Sequence, residues 1–174
     1  MTSGPKPVKE KRKKKKRPKS ERQVLKQRLD EIVPSITKQR DGWQCVQCGD
    51  RQHPTNGHVI VRGVYGTRWD LLNQHCQCAT CNMKHQHKPH LYISWFCKEF
   101  GYDMWEELNR RAEDKREPDW TVVEMRELLA DYEDLYGRMQ TLGVYDKSML
   151  IAFGAYGQYC RNLPYKIPPD VQRG

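Results

Sequence analysis

Two pairs of cysteines set the strongest constraint on this chain. Cys45 and Cys48 form one Cys-x2-Cys knuckle, and Cys78 and Cys81 form a second. Each knuckle puts two thiolates on one tight turn, which is half of a tetrahedral zinc site. Two knuckles at this separation point to one structural Zn2+ held by four sulfurs. The stretch between them is then a loop tied at both ends by a metal ion. It carries Gly57-His58, Arg62, Arg68-Trp69-Asp70, Asn73 and His75, and Asn82 follows the last cysteine directly.

Composition makes such a staple useful. The 174 residues are 37% hydrophobic and 30% charged. That suits one domain with tails and a modest core, to which metal binding adds folding energy. The net charge of +9 is uneven: residues 1–40 hold 15 Lys and Arg against 4 Asp and Glu, leaving 16 basic and 18 acidic residues for the rest. A basic arm on a near-neutral body suits electrostatic capture of a polyanion. The other cysteines, Cys76, Cys97 and Cys160, are an odd remainder and do not suggest a disulfide framework. There is no apolar stretch behind the basic start to make a signal peptide, and no run long enough to span a membrane. A reducing, intracellular compartment fits best.

Along the chain, residues 1–19 are too charged to pack and are expected to be a disordered arm. Its Lys13, Lys14, Lys15, Lys16 and Arg17 would contact phosphates, while a solubilising tail or a localisation signal are the blander readings. Ser20 to Gln23 has the form of a capping box and opens the N-terminal helical segment over 20–40, which Pro34 should end or kink, with Ser35 to Asp41 a short second helical piece. Residues 41–90 form the zinc-bound core, with a strand from Gly57 to Arg62, an extended piece from Leu71 to Gln77 and a helix from Ala79 to about Lys88. Residues 91–143 are helical: Leu91 to Phe100, Asp103 to about Asp114, and a long helix opened by the capping box Thr121 to Glu124. That last helix carries the stripe Met125, Leu128, Leu129, Tyr132, Leu135, Tyr136, Met139 and Leu142, read as core ahead of a dimer seam, with Gly143 just past its end. Residues 99–134 hold 13 acidic and 5 basic residues, a solvated face. Residues 144–174 read as a loose tail. The fold class is thus α+β and mostly helical, a zinc-stapled ββα-metal core with flanking helices.

A His, then an Asn, then an Asn after the last knuckle is the order that resembles an HNH nuclease. Phosphodiester hydrolysis needs an activated water, a cation to neutralise the transition state, and help for the leaving oxygen. His58 fits the general base, since an unperturbed imidazole titrates near pH 6.5. Asn73 would lie on the facing strand and hold the His58 ring through its side-chain carbonyl; the blander reading is a turn residue. Asn82 can offer an oxygen to Mg2+ or Mn2+, or cap a helix.

The run Gly57-His58, Arg68-Trp69-Asp70, Asn73-x-His75-x-Gln77-Cys78-x2-Cys81-Asn82 also resembles the NinG (Rap) recombination endonucleases of lambdoid phages. The likeness extends upstream to Arg40-Asp41-Gly42 and downstream to Tyr92, Phe100-Gly101-Tyr102 and Trp120-Thr121, covering about residues 36 to 142. It implies a structure-selective DNA endonuclease acting on branched intermediates such as D-loops and Holliday junctions, in the cytoplasm of a phage-infected or prophage-carrying bacterium. Arg62 and Arg68 would join the basic arm in binding DNA, and a symmetric junction would suit a homodimer.

One departure matters. Many HNH enzymes place a second metal ligand just before the base, where this chain has Gly57. The second ligand would then be His75, two residues from Asn73 on the same strand face, or His85, three residues after Asn82 on the same helix face. The His-rich stretch from His85 to His90 could bind metal or DNA, or simply be exposed. The rival readings are a non-catalytic zinc-ribbon DNA-binding or regulatory module, and an HNH nuclease without junction preference.

Overall fold

The computed structural model describes residues 18–113 and 120–142; the basic arm Lys13 to Arg17, the segment 114–119, Gly143 and the C-terminal tail lie outside the described residues. The chain runs α1 (Glu21–Arg40), β1 (Pro54–His58), a one-turn 3-10 segment (Tyr65–Thr67), β2 (Gln74–Cys78), α2 (Ala79–His87), α3 (Pro89–Phe100), α4 (Tyr102–Glu113) and α5 (Val122–Leu142). It is mostly helical with one small two-stranded sheet.

Both expected capping boxes are present. The Ser20 side chain accepts the Gln23 N–H, and the Gln23 side chain accepts the Ser20 N–H in return. Thr121 and Glu124 make the same reciprocal pair before α5. These bonds satisfy donors that a helix start leaves unpaired.

α1 runs as one helix through Pro34 to Arg40, so Pro34 does not end it and Ser35 to Arg40 is not a separate helical piece. Leu25, Leu29, Val33 and Ile36 on its inner face are buried against Met125, Leu128, Leu129, Tyr132, Leu135 and Met139 of α5, with Trp69 and Leu71. That apolar packing outweighs the one hydrogen bond a proline removes, since each buried Leu or Val contributes roughly 1.5–3 kcal/mol. Glu21 pairs with Arg126, Arg28 with Glu133, and Gln39 with Gln140. Both helices advance together through these pairs, so they run parallel. The stripe of α5 is thus core; Tyr136 is partly buried against it.

A second cluster joins Val59 and Leu72 to Tyr92, Phe96 and Leu108 of α3 and α4. A buried ion pair, Arg111 to Asp70 at 2.7 Å, ties α4 to the turn before β2.

Both strands of the sheet pack against α1 and α2, and its boundaries differ from the expected ones. β1 is Pro54–His58, not Gly57 to Arg62. The apolar run after His58 leaves the ladder, sending Val59 into the second cluster and Val61 into solvent. β2 begins at Gln74, because Asp70 to Asn73 form a turn closed by Asn73 N–H to Asp70 O and Leu72 N–H to Asp70 Oδ1. The strands pair antiparallel with His58 opposite Gln74, Gly57 opposite His75 and Thr55 opposite Gln77. Directly opposed side chains share a face, so His58 and Gln74 lie on one side of the sheet while Gly57, His75 and Gln77 lie on the other.

Candidate functional site

The four knuckle cysteines converge. The sulfurs of Cys45, Cys48, Cys78 and Cys81 lie within 4.8 Å of one another, and Cys48 and Cys78 are 3.7 Å apart. Sulfurs at Zn–S distances of about 2.3 Å on a tetrahedron stand roughly 3.8 Å apart, so this cluster can hold a metal such as zinc. Local backbone bonds prepare it. Gly49 N–H binds Cys45 O, Cys45 N–H binds Asp50 O, and Val46 N–H binds Cys76 O on β2. Cys78 caps α2 by accepting the Cys81 N–H on its sulfur. Burial pushes the Cys45 thiol up, but backbone donors around Cys78, Cys48 and Gln47 outweigh it and bring its pKa to about 7. Burial drives Cys81 the other way, well above the ordinary thiol range. Filling the cluster therefore releases protons.

Beside this cluster a cleft of about 450 Å3 runs past the β1 edge. Asn56, His58, Gln74, Asn82, His85, Arg62 and Arg68 are among its lining residues, with Asp30, Val33 and Pro34 of α1 on one wall. His58, Asn82 and His85, singled out from the sequence, thus share one cavity. Burial is the main influence that lowers the His58 pKa to about 4; the charges of Arg62 and Arg68 add to it, while Asp30 and a hydrogen bond to the Arg68 main chain oppose it. Its ring is neutral at ordinary pH. Asn82 lies in the first turn of α2 and donates from Nδ2 to Thr55 Oγ1 at 3.1 Å. His85 is buried one turn later and stacks on Tyr92, with centroids 4.5 Å apart and planes inclined by 10°. Burial, and then Lys84, lower its pKa.

Three expected roles are corrected. Asn73 does not hold the His58 ring. Its carbonyl accepts the Ile60 N–H at 2.7 Å, and its amide donates to Ile60 O and Thr67 O, so this fully buried side chain locks the loop after β1 instead. His75 is no ligand in the cleft. One ring nitrogen meets Arg40 and the other the Leu72 carbonyl, both at 2.9 Å, and the ring sits among Tyr92, Trp95, Phe96 and Phe100. Alternation along β2 puts it on the face away from His58. Arg68 is not available to DNA as a free cation, since Asp30 receives both its Nε and Nη2 and also the Trp69 indole. Arg62 makes a single contact to the same carboxylate and stays half-exposed at the rim.

Other contributors were not legible. Asp30 is one of several charged residues on α1, and nothing in its spacing marks it as the anchor for two arginines. Arg40, at the end of α1, binds Leu71 O and Gln74 O and donates to both oxygens of Asp41, whose Oδ2 also accepts the Cys76 N–H. Gln77 of β2 meets His85 of α2. The only signal for it was its place in the run Gln77-Cys78, which carried no chemistry by itself.

These observations define a mostly helical protein with a small sheet, a four-cysteine cluster able to hold a metal and a histidine-lined cleft next to it. The profile of the family described as "NinG: Bacteriophage Lambda NinG protein" matches residues 5–141. The chain belongs to that phage family. No curated protein and no solved structure matches it. Among the described residues no helix is long and apolar enough to cross a membrane.

Proposed function

We propose that this protein is a metal-dependent DNA endonuclease of HNH type, acting on branched recombination intermediates such as Holliday junctions and D-loops. The observation that carries the reading is the shared cleft: His58 from the end of β1 faces the same cavity as Asn82 and His85 from α2, beside a cluster suited to zinc. The order β1, β2, α2 agrees with a ββα-metal core.

In this mechanism His58 takes the proton from the attacking water. Its neutral ring is ready to accept one, and the phosphate entering the cleft offsets Arg62 and Arg68, raising a pKa that is otherwise low for a base. Asn82 Oδ1 and His85 would hold a single Mg2+ or Mn2+, which when bound neutralises charge on the phosphate and stabilises the departing oxygen. Zn2+ in the cysteine cluster fixes the start of α2 and so the place of Asn82. Arg62 at the rim and Lys13 to Arg17 of the arm supply phosphate contacts, giving affinity that falls with salt. Cleavage of a symmetric junction would need two copies of the chain.

One observation favours a second reading. An imidazole with a pKa of about 4 is a weak base, as expected of a non-catalytic zinc-bound DNA-binding module. Wild type and His58→Ala, given branched and linear DNA with Mg2+, separate the readings. Loss of branched-DNA cleavage in the variant supports the proposal. Equal cleavage by both removes His58 from the mechanism, and cleavage by neither leaves the binding module. Equal rates on the two DNAs leave a nuclease without junction preference.

A further inference from the structure

Gly57 stands where a metal ligand would precede the base, and its backbone does not explain the glycine. Its φ is not in the left-handed region that favours this residue. A Cβ at this position would instead land 1.9 Å from Gln77 Oε1 and 2.5 Å from its Cδ. The glycine therefore makes room for the side chain of Gln77, which shares its face of the sheet. Gln77 is fully buried, its amide lies 2.8 Å from His85 Nδ1, and its Oε1 has no hydrogen-bond partner. Tyr92, stacked on the His85 ring, closes the unit and points its hydroxyl at the Gly57 carbonyl.

We propose that Gln77 is the positioning residue that makes His85 a ligand for the divalent cation, and that Gly57 is a glycine for its sake. The inference rests on the metal-dependent reading above. A neutral histidine that ligates through Nε2 must carry its proton on Nδ1, and that proton needs an acceptor. A half-turn of the Gln77 amide leaves its shape unchanged and brings the unpaired Oε1 onto Nδ1. The turn trades the amide nitrogen's partner for the oxygen's, holds the ring in one tautomer, and leaves Nε2 unprotonated on a ring that lines the cleft. Asn82, one turn earlier on α2, supplies the oxygen on the same side. The side chain missing at residue 57 is thus replaced by a ligand on α2, supported from β2 through the gap.

The test is Mn2+ affinity of the zinc-loaded full-length protein, read from the electron paramagnetic resonance signal of free Mn2+ and separately from cleavage. Circular dichroism and zinc content serve as folding controls. Gln77→Leu is expected to weaken Mn2+ binding 10–100-fold, the usual effect of losing the partner of a ligating histidine. Gln77→Glu, which keeps an acceptor, is expected to restore it. Gly57→Ala, which leaves Gln77 in place but drives it off His85, is expected to copy Gln77→Leu and decides the matter if Gln77→Leu does not fold. Wild-type affinity in folded Gln77→Leu or Gly57→Ala, with binding lost in His85→Ala and Asn82→Ala, overturns the inference and leaves the cation site standing. Unchanged binding in His85→Ala and Asn82→Ala as well overturns both.

Discussion

The depressed pKa of His58 makes a quantitative prediction about stability. Unfolded, the ring titrates near 6.5; folded, at about 4. A histidine with a lowered folded pKa favours the fold when neutral, so its contribution is fully present above pH 6.5 and is lost as pH falls toward 4. The gap of 2.5 units corresponds to roughly 3 kcal/mol over the whole window. At pH 5 the unfolded ring is almost wholly protonated and the folded ring almost wholly neutral, so about 2 kcal/mol is already gone relative to pH 7.5. Other groups titrate in this range, the Cys45 thiol among them, and a difference isolates the effect. Urea unfolding of zinc-loaded wild type and His58→Gln at pH 7.5 and 5.0 gives two pH-induced losses. The wild-type loss should exceed that of the variant by about 2 kcal/mol. NMR of the ring should place its midpoint near 4. Equal losses in the two proteins, or a midpoint near 6.5, would refute the account of a buried ring beside Arg62 and Arg68.

Further outcomes follow from the same contacts. Stripping the metal with a strong chelator should unfold residues 41–90, because structural zinc contributes about 10–16 kcal/mol in small zinc domains, comparable to the whole stability of a protein this size; tryptophan fluorescence and circular dichroism before and after chelation check this. Asn73→Ala should destabilise the fold by about 1–3 kcal/mol or more, since the buried Ile60 N–H loses its acceptor, while the His58 midpoint stays put. A shift of that midpoint toward 6.5 with stability unchanged would return Asn73 to the role of holding the ring. Arg111→Leu should cost about 3–5 kcal/mol in urea unfolding because it leaves the buried Asp70 carboxylate without its counter-charge.

The parts of the fold legible in the sequence were those written in local chemistry. Ser20-Gln23 and Thr121-Glu124 announce helix starts through bonds between residues three apart. Cys45, Cys48, Cys78 and Cys81 announce a four-sulfur cluster able to share an ion, and the apolar period of α5 announces a buried stripe. What failed was set by contacts distant in sequence. Val59 to Val61 have strand propensity, yet pairing of Pro54 with Cys78 placed the ladder earlier. Pro34 is locally a breaker, yet packing of Val33 and Ile36 carried the helix past it. Asn73 was assigned from the His-Asn-Asn order and His75 by counting alternation from it, yet the strand begins only at Gln74, and one is a loop lock and the other a core ring. For Arg68 the sequence shows a cation but not Asp30, thirty-eight positions away, that occupies it.

The parallel pairing of α1 with α5 carries a consequence for how the chain comes into being. Glu21 meets Arg126, and Gln39 meets Gln140, so the partners are separated by about 100 positions. Contacts of such long sequence separation form late. At elongation rates of roughly 5–20 residues per second the nascent α1 waits about 5–20 s for its partner, with Leu25, Leu29 and Val33 uncovered. During that interval the chain is prone to aggregate or to recruit a chaperone, and a ribosome stalled before residue 122 would leave it there.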